Sequence, residues 1–130
     1  MKVAVIGAGT SGLCTARHLL VEGFTCVVFE RNSEIGGTWI YTEKTGLDEY
    51  GLPIHTSMYK SLRTNLPKEA MGFPDFPIPE QSQSYIPAKD ILNFLNLYAD
   101  HFQLRQHIKF SHYVELVKPT DNEKWEIKVK

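Results

Sequence analysis

The amino-acid sequence predicts an α/β fold: a parallel sheet with helices, followed by the start of an antiparallel β-meander, together forming an incomplete domain. Three observations predict it. The apolar stretch Lys2–Ile6 runs directly into a glycine-rich turn and then into residues at helical spacing. A second stretch, Thr25–Phe29, is β-branched and aromatic and reads as the next strand of a β-α-β unit. Near the C-terminus the period changes to two, with His112–Val117 and Trp125–Val129 alternating as the strands of a hairpin whose turn is Pro119–Asn122.

Composition bounds the class without naming an activity. The chain has 130 residues, 42% of them apolar, and a formal net charge of −1, which describes a globular chain of domain size. Fourteen Lys and Arg against fifteen Asp and Glu leave no global field to collect nucleic acid or acidic lipid, so no nucleic-acid partner is expected. No apolar run approaches the ~18 residues of a membrane helix, and the glycines begin too early for a secretory signal peptide within this stretch. Two cysteines, Cys14 and Cys26, are too few for a disulfide scaffold.

The first strand leads into Gly7-Ala8-Gly9-Thr10-Ser11-Gly12. A glycine triplet alone is a weak signal; a preceding strand and a following helix give it meaning. Leu13, Ala16, Leu19 and Leu20 supply that helix, and Gly23 is a natural terminator. Gly7 permits a tight turn, Gly9 lets the backbone approach a pyrophosphate, and Gly12 lets helix and strand pack closely. The helix start offers N–H groups and a positive dipole end to phosphates. The second strand ends in Glu30, an acid about twenty residues beyond the glycines, placed to accept hydrogen bonds from an adenosine ribose. An acid there repels a 2′-phosphate, so this Rossmann-like unit is expected to hold FAD or NAD rather than NADP.

The following residues, Glu30-Arg31 and then Glu34-Ile35-Gly36-Gly37-Thr38-Trp39, decide between them. Paired glycines let a loop pass close to a second part of an extended ligand. On these residues alone a plain turn with a buried Trp39 stays open. Together with the first fingerprint the segment resembles the two-dinucleotide-binding flavoproteins. Farther on, Met58-Tyr59-Lys60-Ser61-Leu62-Arg63-Thr64-Asn65-Leu66-Pro67-Lys68-Glu69 and Met71-Gly72-Phe73-Pro74-Asp75-Phe76-Pro77 sharpen this. With these motifs in order, the chain resembles the flavin-containing monooxygenases that oxygenate nitrogen and sulfur, in wording closest to insect, plant and fungal members.

That resemblance implies site residues and chemistry. The family's FAD phosphate loop falls on Gly7, Ala8, Gly9, Thr10, Ser11 and Gly12, and its ribose acid on Glu30, with Arg31 beside it. Its second FAD contact falls on Gly37, Thr38 and Trp39. Its active-site asparagine falls on Asn65, flanked by Thr64 and Leu66; without the resemblance Asn65 reads as an ordinary loop residue. The implied enzyme is a flavin-dependent, N,N-dimethylaniline-type monooxygenase. NADPH reduces FAD, O2 adds to it as a C4a-hydroperoxide, and an amine or thioether substrate takes the distal oxygen. The cofactor carries the hard chemistry. Asn65 is the one catalytic residue named, and no metal is called for.

The family's second Gly-x-Gly-x-x-Gly, which receives NADPH, and its Phe-x-Gly-x-x-x-His signature do not occur before Lys130. The expectation is therefore an N-terminal part of the FAD-binding domain, with the NADPH domain elsewhere and little turnover from this stretch alone. A Baeyer–Villiger monooxygenase, another two-dinucleotide flavoprotein, or a non-catalytic dinucleotide-binding remnant are the alternatives. Homo-oligomerisation is left open, and the expected location is cytoplasmic or endoplasmic-reticulum associated.

The rest of the chain reads as scaffold. Five of the seven prolines lie in Pro67–Pro87, yet Phe73, Phe76, Ile78 and Tyr85 argue for an ordered irregular segment rather than a linker. Lys89–Phe102 is a helix with Ile91, Leu92, Leu95, Tyr98 and Phe102 on one stripe and Asp90 at its start, expected to pack on the sheet. Ile108–Phe110 is a further short strand. His101, His107 and His112 straddle a helix end and a strand without a thiol or carboxylate cluster, which disfavours a metal site.

Overall fold

A computed structural model describes residues 1–130, which form two units: Met1–Ile35 with Leu104–Lys130, and Gly36–Gln103. The fold is α/β with a parallel sheet, as the glycine fingerprint and its flanking strands require.

In the first unit, β1 (Lys2–Ile6), α1 (Thr10–Val21) and β2 (Thr25–Phe29) form the β-α-β crossover. The parallel register pairs Lys2 with Thr25 through to Ile6 with Phe29. The short strand β3 (Ile108–Lys109) adds to the far side of β2, giving the order β1-β2-β3. Helix α1 buries Leu13 and Ala16, and Val5, Cys26, Val28 and Ile108 supply the strands' share of apolar residues. The helix ends where Gly23 adopts φ +83°, a left-handed value that costs glycine little. There the N–H groups of Gly23 and Phe24 donate to Leu20 and Leu19 oxygens at 3.1 and 3.0 Å, closing the last turn. Burial raises the Cys26 thiol pKa above its ordinary value, and both cysteines are free.

The hairpin consists of β4 (Val114–Pro119) and β5 (Trp125–Val129), with an irregularity in register between Val114 and Leu116. Its turn differs from the sequence expectation. Pro119 belongs to β4 and pairs with Trp125, so the connection is Thr120–Lys124, closed by the Thr120 N–H on the Lys124 oxygen at 2.8 Å. A proline at a strand end costs little where the ladder needs no donor from it. His112 also stays outside the hairpin, because its N–H donates to the Glu30 oxygen at 2.9 Å.

In the second unit, α2 (Ala88–His101) buries Ile91, Phe94, Leu95, Tyr98 and Ala99. Phe94 belongs to this stripe, while Leu92, which the pattern had placed on it, is only partly covered. Inside this unit the stripe meets the proline-rich segment. Phe73 lies 4.6 Å from Tyr98 and Phe76 lies 5.7 Å from Phe94 between ring centroids. Those contacts give the irregular segment a core of its own, which is why its aromatic residues are not those of a solvated linker. A 3-10 turn at Gly37–Trp39 and another at Lys68–Ala70 complete the regular structure. No helix is long and apolar enough to cross a membrane.

Candidate functional site

The glycine-rich turn is built by backbone geometry. Gly7 sits at φ +97° with its N–H donating to the Phe29 oxygen at 2.8 Å, which ties the turn to the end of β2. Gly9 caps α1 in an extended conformation, and its oxygen accepts the first helical bond from Leu13 N–H at 3.0 Å. A Cβ on Gly12 would fall 1.9 Å from the Gly7 oxygen. Gly12 is thus demanded by close approach of helix to turn, with Val5 Cγ1 a more distant neighbour at 3.6 Å. Around Gly7 an added Cβ would meet nothing within 4 Å, so this side of the turn is open. No side chain caps α1 and no acidic residue stands in its first turn, so nothing in the helix's own first turn opposes an anion. Thr10 and Ser11 are exposed at this end.

Glu30 has a role that spacing alone did not reveal. It is only 5% exposed, and its Oε2 accepts the Ala8 N–H at 2.7 Å while Oε1 accepts the Asn32 N–H at 2.8 Å. Its main chain is held as well, donating to the Lys109 oxygen and accepting from His112 N–H, each at 2.9 Å. The carboxylate therefore pins Ala8 of the turn. Each oxygen keeps a further lone pair able to accept a hydroxyl proton. Arg31, next in sequence, is exposed.

The remaining sequence-predicted residues lie in the second unit. Gly36 has φ +144°, and a Cβ there would come within 2.4 Å of Leu92 Cδ1 and 2.8 Å of Ile40 Cγ1. The first glycine of the pair is thus favoured by its positive φ, and a side chain there would also push aside the ends of Leu92 and Ile40. Gly37, at φ +55°, opens the 3-10 turn, leaving itself and Thr38 exposed and Trp39 half-buried.

Thr64, Asn65 and Leu66 separate in character. Thr64 is 5% exposed; its N–H donates to the Ile86 oxygen at 3.0 Å and its Oγ1 accepts the Ile86 N–H at 3.3 Å. Arg63 Nη1 donates to Gln83 Oε1 and to the Tyr85 oxygen, both at 2.9 Å. Asn65 and Leu66 are exposed, and they form the free part of the trio. Downstream, Lys68 N–H donates to the Ser84 oxygen at 2.7 Å, and Lys68 Nζ reaches Glu69 Oε1 at 2.7 Å and Glu80 Oε1 at 3.5 Å. Ser84 Oγ donates to the same Glu69 oxygen at 3.2 Å. The Lys68 hydrogen bond holds the Glu69 carboxyl below its ordinary pKa, and the same bond raises that of Lys68. Sequence reasoning passed over Lys68, Gln83, Ser84 and Ile86; the adjacent opposite charges of Lys68-Glu69 were the only signal for them.

No group of three or more His, Cys, Asp or Glu side chains is placed to hold a metal ion.

Comparison with known proteins agrees with the architecture. The chain is 44% identical to flavin-containing monooxygenase FMO GS-OX4 of Arabidopsis thaliana, across 98% of its own length and 30% of that protein's. Among solved structures it superposes on S-allyl-L-cysteine S-oxygenase from Allium sativum with a TM-score of 0.88 and 40% identity, covering 99% of this chain and 32% of that one. Tmm from Pelagibacter sp. strain HTCC7211 follows at TM-score 0.82 and 29% identity, covering 99% and 34%. The chain thus spans roughly a third of the length of these relatives. The family model described as flavin-binding monooxygenase-like matches residues 1–128, nearly the whole sequence, and the chain belongs to that family.

Proposed function

We propose that this chain is the FAD-binding part of an NADPH-dependent monooxygenase that transfers one oxygen atom from O2 to a soft nucleophile, an amine nitrogen or a thioether sulfur. The observation that carries the reading is the turn between β1 and α1. An uncapped helix start, an open approach at Gly7 and a buried acid at the end of β2 stand together in one unit. The arrangement suits a pyrophosphate at Gly7–Gly12 and an adenosine ribose at Glu30. Similarity to an S-oxygenase at 40% identity supports the sulfur arm of the substrate class.

When bound, FAD supplies the redox centre at which O2 is activated. The chain's own residues position it. Gly7, Ala8, Gly9, Thr10, Ser11 and Gly12 take the phosphates, and Glu30 takes the ribose while holding Ala8 in place. Gly37–Trp39 would receive a second portion of the ligand, and the exposed Asn65 would offer it an amide donor and acceptor. NADPH binds mainly through residues outside this stretch.

Two substitutions test the reading in the flavin-loaded protein. Glu30→Ala is expected to lower FAD occupancy at 450 nm relative to protein, because the ribose acceptor and the Ala8 tether are lost together; unchanged occupancy removes Glu30 from the site. Asn65→Ala is expected to keep its flavin while diverting NADPH electrons to hydrogen peroxide. Full coupling of NADPH consumption to product in that variant removes Asn65 from the chemistry.

A further inference from the structure

We propose that Lys68 is a positioning residue: together with Glu69 and Ser84 it fastens the downstream end of the Asn65–Leu66 bulge and thereby fixes where Asn65 presents its amide. The inference rests on the reading of Asn65 given above. The Lys68 side chain is 3% exposed, an unusual place for an ammonium. Its charge is met by the adjacent Glu69 at 2.7 Å and by Glu80, twelve residues on, at 3.5 Å. Ser84 donates to that same Glu69 oxygen at 3.2 Å, and its own main-chain oxygen accepts the Lys68 N–H at 2.7 Å. The upstream end is fastened to the same strap, through Thr64 on Ile86 and Arg63 on Gln83 and Tyr85. Asn65, Leu66 and Pro67 are therefore the residues left between two anchors on one short segment, Gln83–Ile86. Anchoring both ends of so short a span restricts the positions open to Asn65 without any contact to its side chain. The upstream anchor and the main-chain bond from residue 68 to Ser84 both survive Lys68→Met, so the variant removes only the side-chain part of the downstream anchor and does not dismantle the segment.

The test uses the flavin-loaded protein and the variants Lys68→Met, Lys68→Arg, Asn65→Ala and the Lys68→Met/Asn65→Ala pair. Exchange of the residue-68 amide proton, which is bonded to the Ser84 oxygen, is expected to accelerate roughly tenfold in Lys68→Met, with β1 and β2 unchanged. The variant is expected to retain FAD yet release more hydrogen peroxide per NADPH. Lys68→Arg, which keeps a donor for Glu69, restores both readouts in part. The paired variant leaks no more than Asn65→Ala alone, because both changes act through one amide. Unchanged exchange of the residue-68 amide in Lys68→Met overturns the clamp. A leak that simply adds to that of Asn65→Ala overturns the route through Asn65. If Asn65→Ala is itself fully coupled, the functional reading of Asn65 fails and takes the catalytic half of this inference with it. The exchange result then judges the clamp alone.

Discussion

The turn at Gly7–Gly12 and the bulge at Asn65–Leu66 hold exposed backbone by opposite means. At the turn, conformation is set by what is missing: side chains that would clash with the Gly7 oxygen or strain a left-handed φ. At the bulge, it is set by what is added: Thr64 and Arg63 each bond to residues 22 positions away, and Lys68 to Ser84, 16 positions on. A shape made by absent atoms can be read from a local motif. A shape made by long-range polar bonds cannot, because each partner is an ordinary residue until the chain is folded. The two regions also differ in how they fail. Loss of a glycine moves backbone at once, whereas loss of one tether leaves the others in place.

The largest expected effect falls on the turn. Gly12→Ala places a Cβ 1.9 Å from the Gly7 oxygen, so helix and turn must separate. We expect destabilisation on the order of 3 kcal/mol, read as a lowered urea midpoint, together with loss of FAD. A variant of wild-type stability would show that the turn is more pliable than its geometry implies.

A smaller effect is expected at the bulge. Thr64→Val keeps the shape but removes the acceptor of the Ile86 N–H. A buried donor left unsatisfied costs about 1–2 kcal/mol. The same denaturant titration measures it, and an effect as large as that of Gly12→Ala would erase the contrast drawn here.

The smallest effect concerns pH. Glu69 has a folded-state pKa below its ordinary value of 4.5, held there first by the Lys68 hydrogen bond, with Ser84 also donating. Its contribution is present above 4.5 and lost as pH falls through the lowered folded value. Lys68, raised above 10.5 by Glu69 first and then Glu80, contributes below 10.5 and loses that contribution as pH rises through the higher folded value. Exchange protection of the Lys68 amide, bonded to Ser84, is therefore expected to be flat between 4.5 and 10.5 and to fall outside that window. Protection at Gly7–Gly12 is not tied to this pair. A change centred near neutral pH would assign the tether to another group.

Much of the first unit was legible. Strand boundaries at Lys2–Ile6 and Thr25–Phe29 followed from an apolar run that ends in glycine or acid. The hairpin was legible from its period of two, but its turn was not. Pro119 reads as a turn residue, yet it can end a strand where no donor is required. On α2, periodicity identified the helix and most of its stripe but missed Phe94, whose burial comes from Phe73 and Phe76 across the proline-rich segment.

By itself the sequence determined the β-α-β unit, because close approach at Gly12, a left-handed Gly7 and an acid after β2 are local demands that few residue types meet. Only the tertiary structure decided that the Glu30 carboxylate closes on Ala8 and that Lys68 is buried against Glu69. It also left Asn65 exposed between two anchors. Those outcomes depend on which polar groups meet across long stretches of chain, and a buried donor accepts whichever acceptor the fold brings to it.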